Sequence, residues 1–238
     1  MAANSSISNS DGMKRLTGHG LIFLLLLLLL DWIVGSFEEH FFYKQTHGDD
    51  YITLEVLDHT KAGILILGSS RASHHYVTDS LERYTGQPVF NGGRDNMGIH
   101  YTEAILQALL QRHTPSCIIL DLIPYNFLNN QQNNPTYFDI QTTALMPFAN
   151  RHPVLYPYMQ RMNAAEAMKG KWIKTYAFNS LAGSIFQNAC THIGHLQQKG
   201  YEPLQGITDS LHYGRQLFPF PKASNGVDTA SFNRLEHC

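Results

Sequence analysis

The chain has 238 residues, a formal net charge of -2 and a sequence pI of about 6.7. Its length suits one sizeable domain plus a membrane segment. The charge balance gives no electrostatic reason to expect nucleic-acid binding, and the sequence carries no zinc-finger spacing or RNA-binding signature.

Residues 1–15 are polar, rich in Ser and Asn, and are expected to be disordered. Lys14 and Arg15 then precede an apolar stretch with an unbroken leucine run, Leu24 to Leu30. Asp31 interrupts it, and Trp32 to Phe37 continue it. Residues 16–37 roughly reach the length of about 20 residues that a bilayer core requires. Asp31 sits near the far end, where a carboxylate costs less because it reaches the interface. Basic residues before the segment and Asp31, Glu38 and Glu39 at or beyond its far end place the N-terminus in the cytoplasm and the remainder outside. A cleaved signal peptide is the rival reading. No clear small-x-small site follows the run, which favours a retained anchor. A buried core helix is disfavoured, because the leucine run leaves no amphipathic stripe.

Residues 38–60 mix polar and aromatic side chains and read as a membrane-proximal helix or linker. The stretch Ala62 to Leu67 is a short apolar run followed by Gly68, Ser69 and Ser70, the pattern of a buried parallel strand. Residues 76–85 read as a short helix, 87–91 as a second strand ending at Gly92 and Gly93, 99–112 as a helix, and 117–123 as a third strand. Alternating strands and helices of this kind predict an α/β core over 61–128 with a parallel sheet. Residues 129–200 open with a polar Asn/Gln loop and continue with Phe, Tyr, Met and Ala at helical spacing, which predicts a helical insertion or cap. Residues 201–238 are rich in Pro and Gly and read as irregular. A doubly wound sheet usually has about five strands, so three leave either cryptic strands later on or, as we favour, a chain that stops before the fold is complete.

An odd count of three cysteines is no disulfide framework. Cys117 opens an apolar run and is expected to be a buried thiol. A Cys190–Cys238 bridge would require an oxidising compartment.

Ligands of open α/β sheets bind beyond the carboxyl ends of the strands. Those ends are Gly68-Ser69-Ser70-Arg71, Asn91-Gly92-Gly93-Arg94-Asp95-Asn96, and Asp121 to Asn126. Ser70 falls where a strand turns into a helix, so nearby backbone N–H groups and the helix start would face a developing oxyanion.

The run Ile64-Leu-Ile-Leu-Gly-Ser-Ser-Arg71 resembles the first block of the SGNH (GDSL-type) hydrolase superfamily, in the Gly-Ser-Ser form of membrane-anchored envelope acyl-transfer relatives such as the D-alanyl transfer protein of teichoic acid modification. The resemblance covers roughly residues 60–127. It implies a flavodoxin-like parallel sheet with helices on both faces, no cofactor and no metal, and Ser70 as nucleophile. The stretch Val89 to Asn96 resembles the second block, which supplies an oxyanion-hole glycine; that glycine's spacing from Asn91 falls near Asn96, while Gly93 matches a nearby glycine. In the third block the asparagine is displaced by one residue, which makes Asn126 the side-chain donor. The family's Asp-x-x-His corresponds to Asp209-Ser-Leu-His212, although no strand precedes it and a match at two positions arises readily by chance among 13 histidines.

A serine needs an adjacent base to act as a nucleophile. His74 would lie one helical turn from Ser70 and is a second candidate, with His75 beside it; surface or cap packing is the plainer reading of both. His192 and His195 have helical spacing for a metal pair but no third ligand, and read as structural or solvated. Arg71 and Arg94 are expected either to bind an anionic substrate group or to pair with Asp95 or Asp121. The function implied is a serine esterase or acyltransferase acting on envelope acyl esters or polysaccharide. The alternatives are a catalytically inactive envelope protein on the same scaffold and an inactive fragment of a longer hydrolase.

Overall fold

The computed structural model describes residues 9–122, 135–179, 181–190 and 199–203. The chain is α/β, with a parallel three-stranded sheet in the order β2-β1-β3. The strands are β1 (Ile64–Gly68), β2 (Val89–Asn91) and β3 (Cys117–Asp121). β1 pairs with both neighbours, Leu65 opposite Phe90 on one side and Ile118 on the other. The alternation of β1 side chains splits the apolar packing. Leu65 and Leu67 face the large core, and Ile64 and Ile66 face a smaller cluster with Ala72, Val89 and Leu81.

Helix α1 (Asn9–Phe42) is long and apolar enough to cross a membrane. It begins at Asn9, inside the stretch expected to be disordered, because the intervening residues simply continue the helical hydrogen bonding into the apolar run. Residues 12–30 are exposed along their whole length. From Asp31 onward one face docks on the rest of the chain. Asp31 accepts from the Lys174 amide (2.8 Å), the Thr175 amide (3.0 Å) and the Thr175 hydroxyl (2.6 Å). Gly35 lies so close to Lys174 that a Cβ there would stand 2.6 Å from its Cγ.

Residues 38–60, expected as a membrane-proximal helix or linker, are largely helical and packed into the core. Phe42 is buried, α2 (Asp49–Leu54) buries Ile52 and Leu54, and a π-helical turn at Glu55–His59 buries Val56 and Leu57. Arg112, just beyond α5 (Ile99–Leu110), holds that turn by donating to the carbonyls of Val56, Leu57 and Thr60 at 2.9–3.0 Å. α3 (Ser70–His75) and α4 (Thr78–Thr85) connect β1 to β2.

The region after β3, expected as a helical insertion or cap, is helical and packs on the rest of the chain. α6 (Pro135–Leu145), a 3-10 turn at Met146–Phe148, α7 (Leu155–Trp172), a 3-10 turn at Thr175–Ala177 and α8 (Ala182–Cys190) follow in order. Their buried Leu145, Phe148, Leu155 and Phe178 join Phe42, Leu57 and Leu109 in the large core. α7 is broken at Asn163, whose side chain accepts from the Ala165 and Glu166 amides and so caps the second half. Cys117 is exposed, not buried, because it opens β3 at the end of the strand where burial has yet to build up towards Asp121. The Cys190 thiol, Cys238, His192 and His195 lie outside what the described residues show.

Candidate functional site

Parallel strands bring their carboxyl ends to one side of the sheet, and the Ser70 and Gly93 segments meet there. β1 ends at Gly68, whose φ is +156°. A Cβ at that position would lie 2.7 Å from the Asp121 carbonyl oxygen and 2.9 Å from the Ala72 Cβ, so only glycine fits. Ser69 is extended and precedes the first turn of α3; Ser70 opens that helix and is exposed. The first amides of any helix lack intrahelical acceptors, which leaves donors beside the Ser70 hydroxyl.

The loop after β2 is pinned to β1 and α3. Gly92 donates to the Ile66 carbonyl (2.8 Å) and Arg94 to the Gly68 carbonyl (3.1 Å). Gly93 packs against α3 so closely that a Cβ would stand 2.5 Å from the Ser73 nitrogen. Its own amide donates to the Asn91 side-chain oxygen at 3.0 Å. In this arrangement the amide is satisfied, and what Gly93 contributes is close approach. The fully buried Asn91 side chain also donates to the Ala72 carbonyl at 2.7 Å, stapling loop to helix. Asn96 is exposed with φ +59°, a left-handed conformation that glycine and asparagine adopt most readily. That is the backbone shape a glycine would take at this spacing.

Charged groups close two sides. Arg71 donates to both oxygens of Asp121 (2.7 and 3.0 Å) and to the Leu122 carbonyl (2.9 Å), tying α3 to the end of β3. Burial pushes the Asp121 carboxyl up, but the Arg71 and Tyr76 hydrogen bonds outweigh it and hold the group below the usual carboxylate range. Arg94 pairs with neither Asp95 nor Asp121. It is buried, donates to Asp50 (2.8 Å) and to the Thr53 hydroxyl (2.9 Å), and lies over the Tyr101 ring. Asp49 stands 3.9 Å from its Nε.

His74 turns away from a catalytic role in this arrangement. Its Nδ1 meets the Glu202 carbonyl at 2.7 Å and its Nε2 meets Asp95 at 3.1 Å. Both partners only accept, so satisfying both requires the doubly protonated ring. Burial lowers its pKa, but the Glu202 carbonyl and Asp95 carboxylate more than offset this and raise it above the ordinary histidine value. A base needs a free nitrogen, and neither is free. His75 donates from Nδ1 to the Arg71 carbonyl (3.1 Å), one turn back along its own helix.

Ser70, Gly93 and Asn96 thus share one end of the sheet. Asn126, Asp209 and His212 lie outside the described residues. Among the described residues no three His, Cys, Asp or Glu side chains group as a metal site would require. The Asn91 staple, the His74–Asp95 pair and the Asp50–Arg94 pair were not foreseen as such. Asn91 closes a predicted strand and Asp49-Asp50 opens a helix, which were the available signals. No protein-family model, no curated protein and no solved structure matches this chain.

Proposed function

We propose that the chain is a membrane-anchored, SGNH-like serine esterase or acyltransferase of the cell envelope, with its domain outside and Ser70 as nucleophile. The observation that carries this reading is the exposed Ser70 at the turn from the central strand β1 into α3, with Gly68 and Gly93 both required by close packing around it. The left-handed Asn96 at the place of the family's glycine supports it. In this reading Ser70 attacks an acyl carbonyl and its proton passes to a base. The tetrahedral oxyanion takes hydrogen bonds from backbone N–H groups of the α3 start and the Asn96 loop, and the leaving alkoxide takes a proton as the acyl enzyme forms. Asp209 with His212 is the base pair implied by the resemblance, and Asn126 the side-chain donor.

A specific observation favours a second reading, a scaffold of the same shape without catalysis. Both nitrogens of His74, the histidine one turn from Ser70, are occupied, and so is the Gly93 amide. A membrane-impermeant fluorophosphonate applied to intact spheroplasts separates the two. Labelling of the wild type that is lost in Ser70→Ala supports the enzyme on the outer side. Loss in His212→Ala as well identifies the base, whereas retention there points to another. No labelling, even after permeabilisation, leaves the scaffold reading standing.

A further inference from the structure

We propose that the domain does not stand clear of the bilayer on its helix but seats an apolar collar, formed by Met168, Trp172, Ile173 and Phe186, in the lipid interface. This rests on the reading of α1 as a membrane span.

Helix length supplies the first argument. From Leu16 to Leu30 the helix rises about 22 Å at about 1.5 Å per residue. A hydrocarbon core is about 30 Å thick, which leaves the free part of the helix about 8 Å short. The missing length comes from the turns just beyond, where Trp32 is 61% exposed and Phe37 62% exposed. At that same level the rest of the chain is already docked. Asp31 takes its three hydrogen bonds from Lys174 and Thr175, and Gly35 touches Lys174. Whatever immersion completes the span therefore brings the 172–175 segment to the lipid boundary with it.

The side chains at that level supply the second. Trp172 is 75% exposed and Phe186 69% exposed. Met168 and Ile173 are exposed too, and Met168 and Trp172 lie on one face of α7, four residues apart. Trp172 and Ile173 directly precede the docked Lys174, and Phe186 shares a cavity wall with Phe37; exposed large apolar side chains in a group are poorly suited to water, and Trp favours the boundary between headgroups and acyl chains. A mostly apolar cavity of about 380 Å³ between α1 and α8, walled by Val34, Phe37, Phe41, Ile185 and Phe186 with Glu38 among them, opens beside the exposed Phe37. The docking also has a polar part beside the helix: Lys174 pairs with Glu39 (2.9 Å) and donates to Ser36 (2.9 Å).

The chain contains two tryptophans, so each can be made the sole indole. Full-length protein with Trp32→Phe or Trp172→Phe is reconstituted in phosphatidylcholine vesicles whose acyl chains carry bromine near the headgroup end. The expected result is that emission of Trp172 and of Trp32 each falls relative to unbrominated lipid, because indoles at the interface lie beside the bromines. Quenching of Trp32 with Trp172 instead quenched by aqueous iodide overturns the collar and leaves the anchor. Trp172 insensitive to bromolipid and iodide alike also overturns it, in favour of a protein contact. Neither indole sensitive to bromolipid removes the anchor reading itself, and the collar with it.

Discussion

The strands and the helices that flank them in the chain are secured by different means. The sheet is a local backbone construction. β1, β2 and β3 fall within residues 64–121 and are registered by parallel ladders. The helical part has no such ladder. It is held by side chains that meet across long separations: the Phe42 ring lies 5.2 Å from Phe148 and 5.4 Å from Phe178. Arg151 covers Tyr43, and the Tyr43 hydroxyl donates to the Pro147 carbonyl at 3.0 Å. The difference teaches that the segments before and after the sheet are one packed unit. The end of the apolar helix α1 belongs to it, through Asp31, Gly35 and Phe42.

The sharpest way to break that comparison is to remove a ring from the helical core. Phe148 is fully buried, and Phe148→Ala should cost about 3–5 kcal/mol, at least as much as the about 2–5 kcal/mol expected for Leu65→Ala in the central strand. Urea titration of the full chain in detergent, read by proteolysis, measures both. A cost below about 1 kcal/mol for Phe148→Ala would restore the picture of an accessory cap.

A somewhat smaller effect is expected from the polar contact that ties α2 to the loop after β2. The side chains of Asp50 and Arg94 are 11% and 9% exposed. Removing one member of such a buried pair leaves the other uncompensated, so Asp50→Ala should cost about 3 kcal/mol, the low end of the usual range because Asp49 remains nearby. Asp49 is 41% exposed and 3.9 Å from the guanidinium, and Asp49→Ala should cost under about 1 kcal/mol. Equal costs in the same titration would show that the pair is not what joins the two regions.

The smallest effect is a pH dependence at the edge of β2. There the Asn91 amide donates to the Lys199 carbonyl at 2.9 Å and the Glu202 amide to the Ser73 carbonyl at 3.2 Å. Protonated His74 secures this strap through the Glu202 carbonyl. Its folded pKa is raised, so its stabilisation is fully present below the unfolded value of about 6.5 and fades as pH climbs through the folded value. Hydrogen exchange, corrected for its intrinsic pH dependence, should show the Glu202 amide losing protection across that window. His74→Gln should abolish the trend; a trend that persists in that variant would assign it to another group.

Much of the sheet was legible in the residues. The apolar run before Gly68 and the run from Cys117 are the length of strands and are bounded by turn residues, so existence and type followed from pattern alone. The exposure of Cys117 did not, because what covers the first residue of a strand depends on segments elsewhere in the chain. Residues 38–60 read as helix or linker without a core role, because their apolar side chains are interleaved with charges such as Asp49, Asp50 and Glu55. Asp49 and Asp50 have a partner that no local window contains, Arg94 being 44 residues from Asp50. At the candidate site, Ser70 and the glycines were found from their order along the chain. The role of His74 was not, since its partners lie 21 and 128 residues away.

The sequence by itself determined the apolar helix, the strand–helix alternation and the placing of Ser70 at the end of the first strand. Each follows from the chemistry of residues adjacent in the chain, through hydrophobic periodicity and the short reach of backbone hydrogen bonds. Only the tertiary structure decided that Asp31 is a docking point, that Asp50 and not Asp95 neutralises Arg94, that Asn91 occupies the Gly93 amide and that both nitrogens of His74 are engaged. Those outcomes depend on which polar groups become buried together, and a buried polar group takes whichever partner the packing brings within about 3 Å.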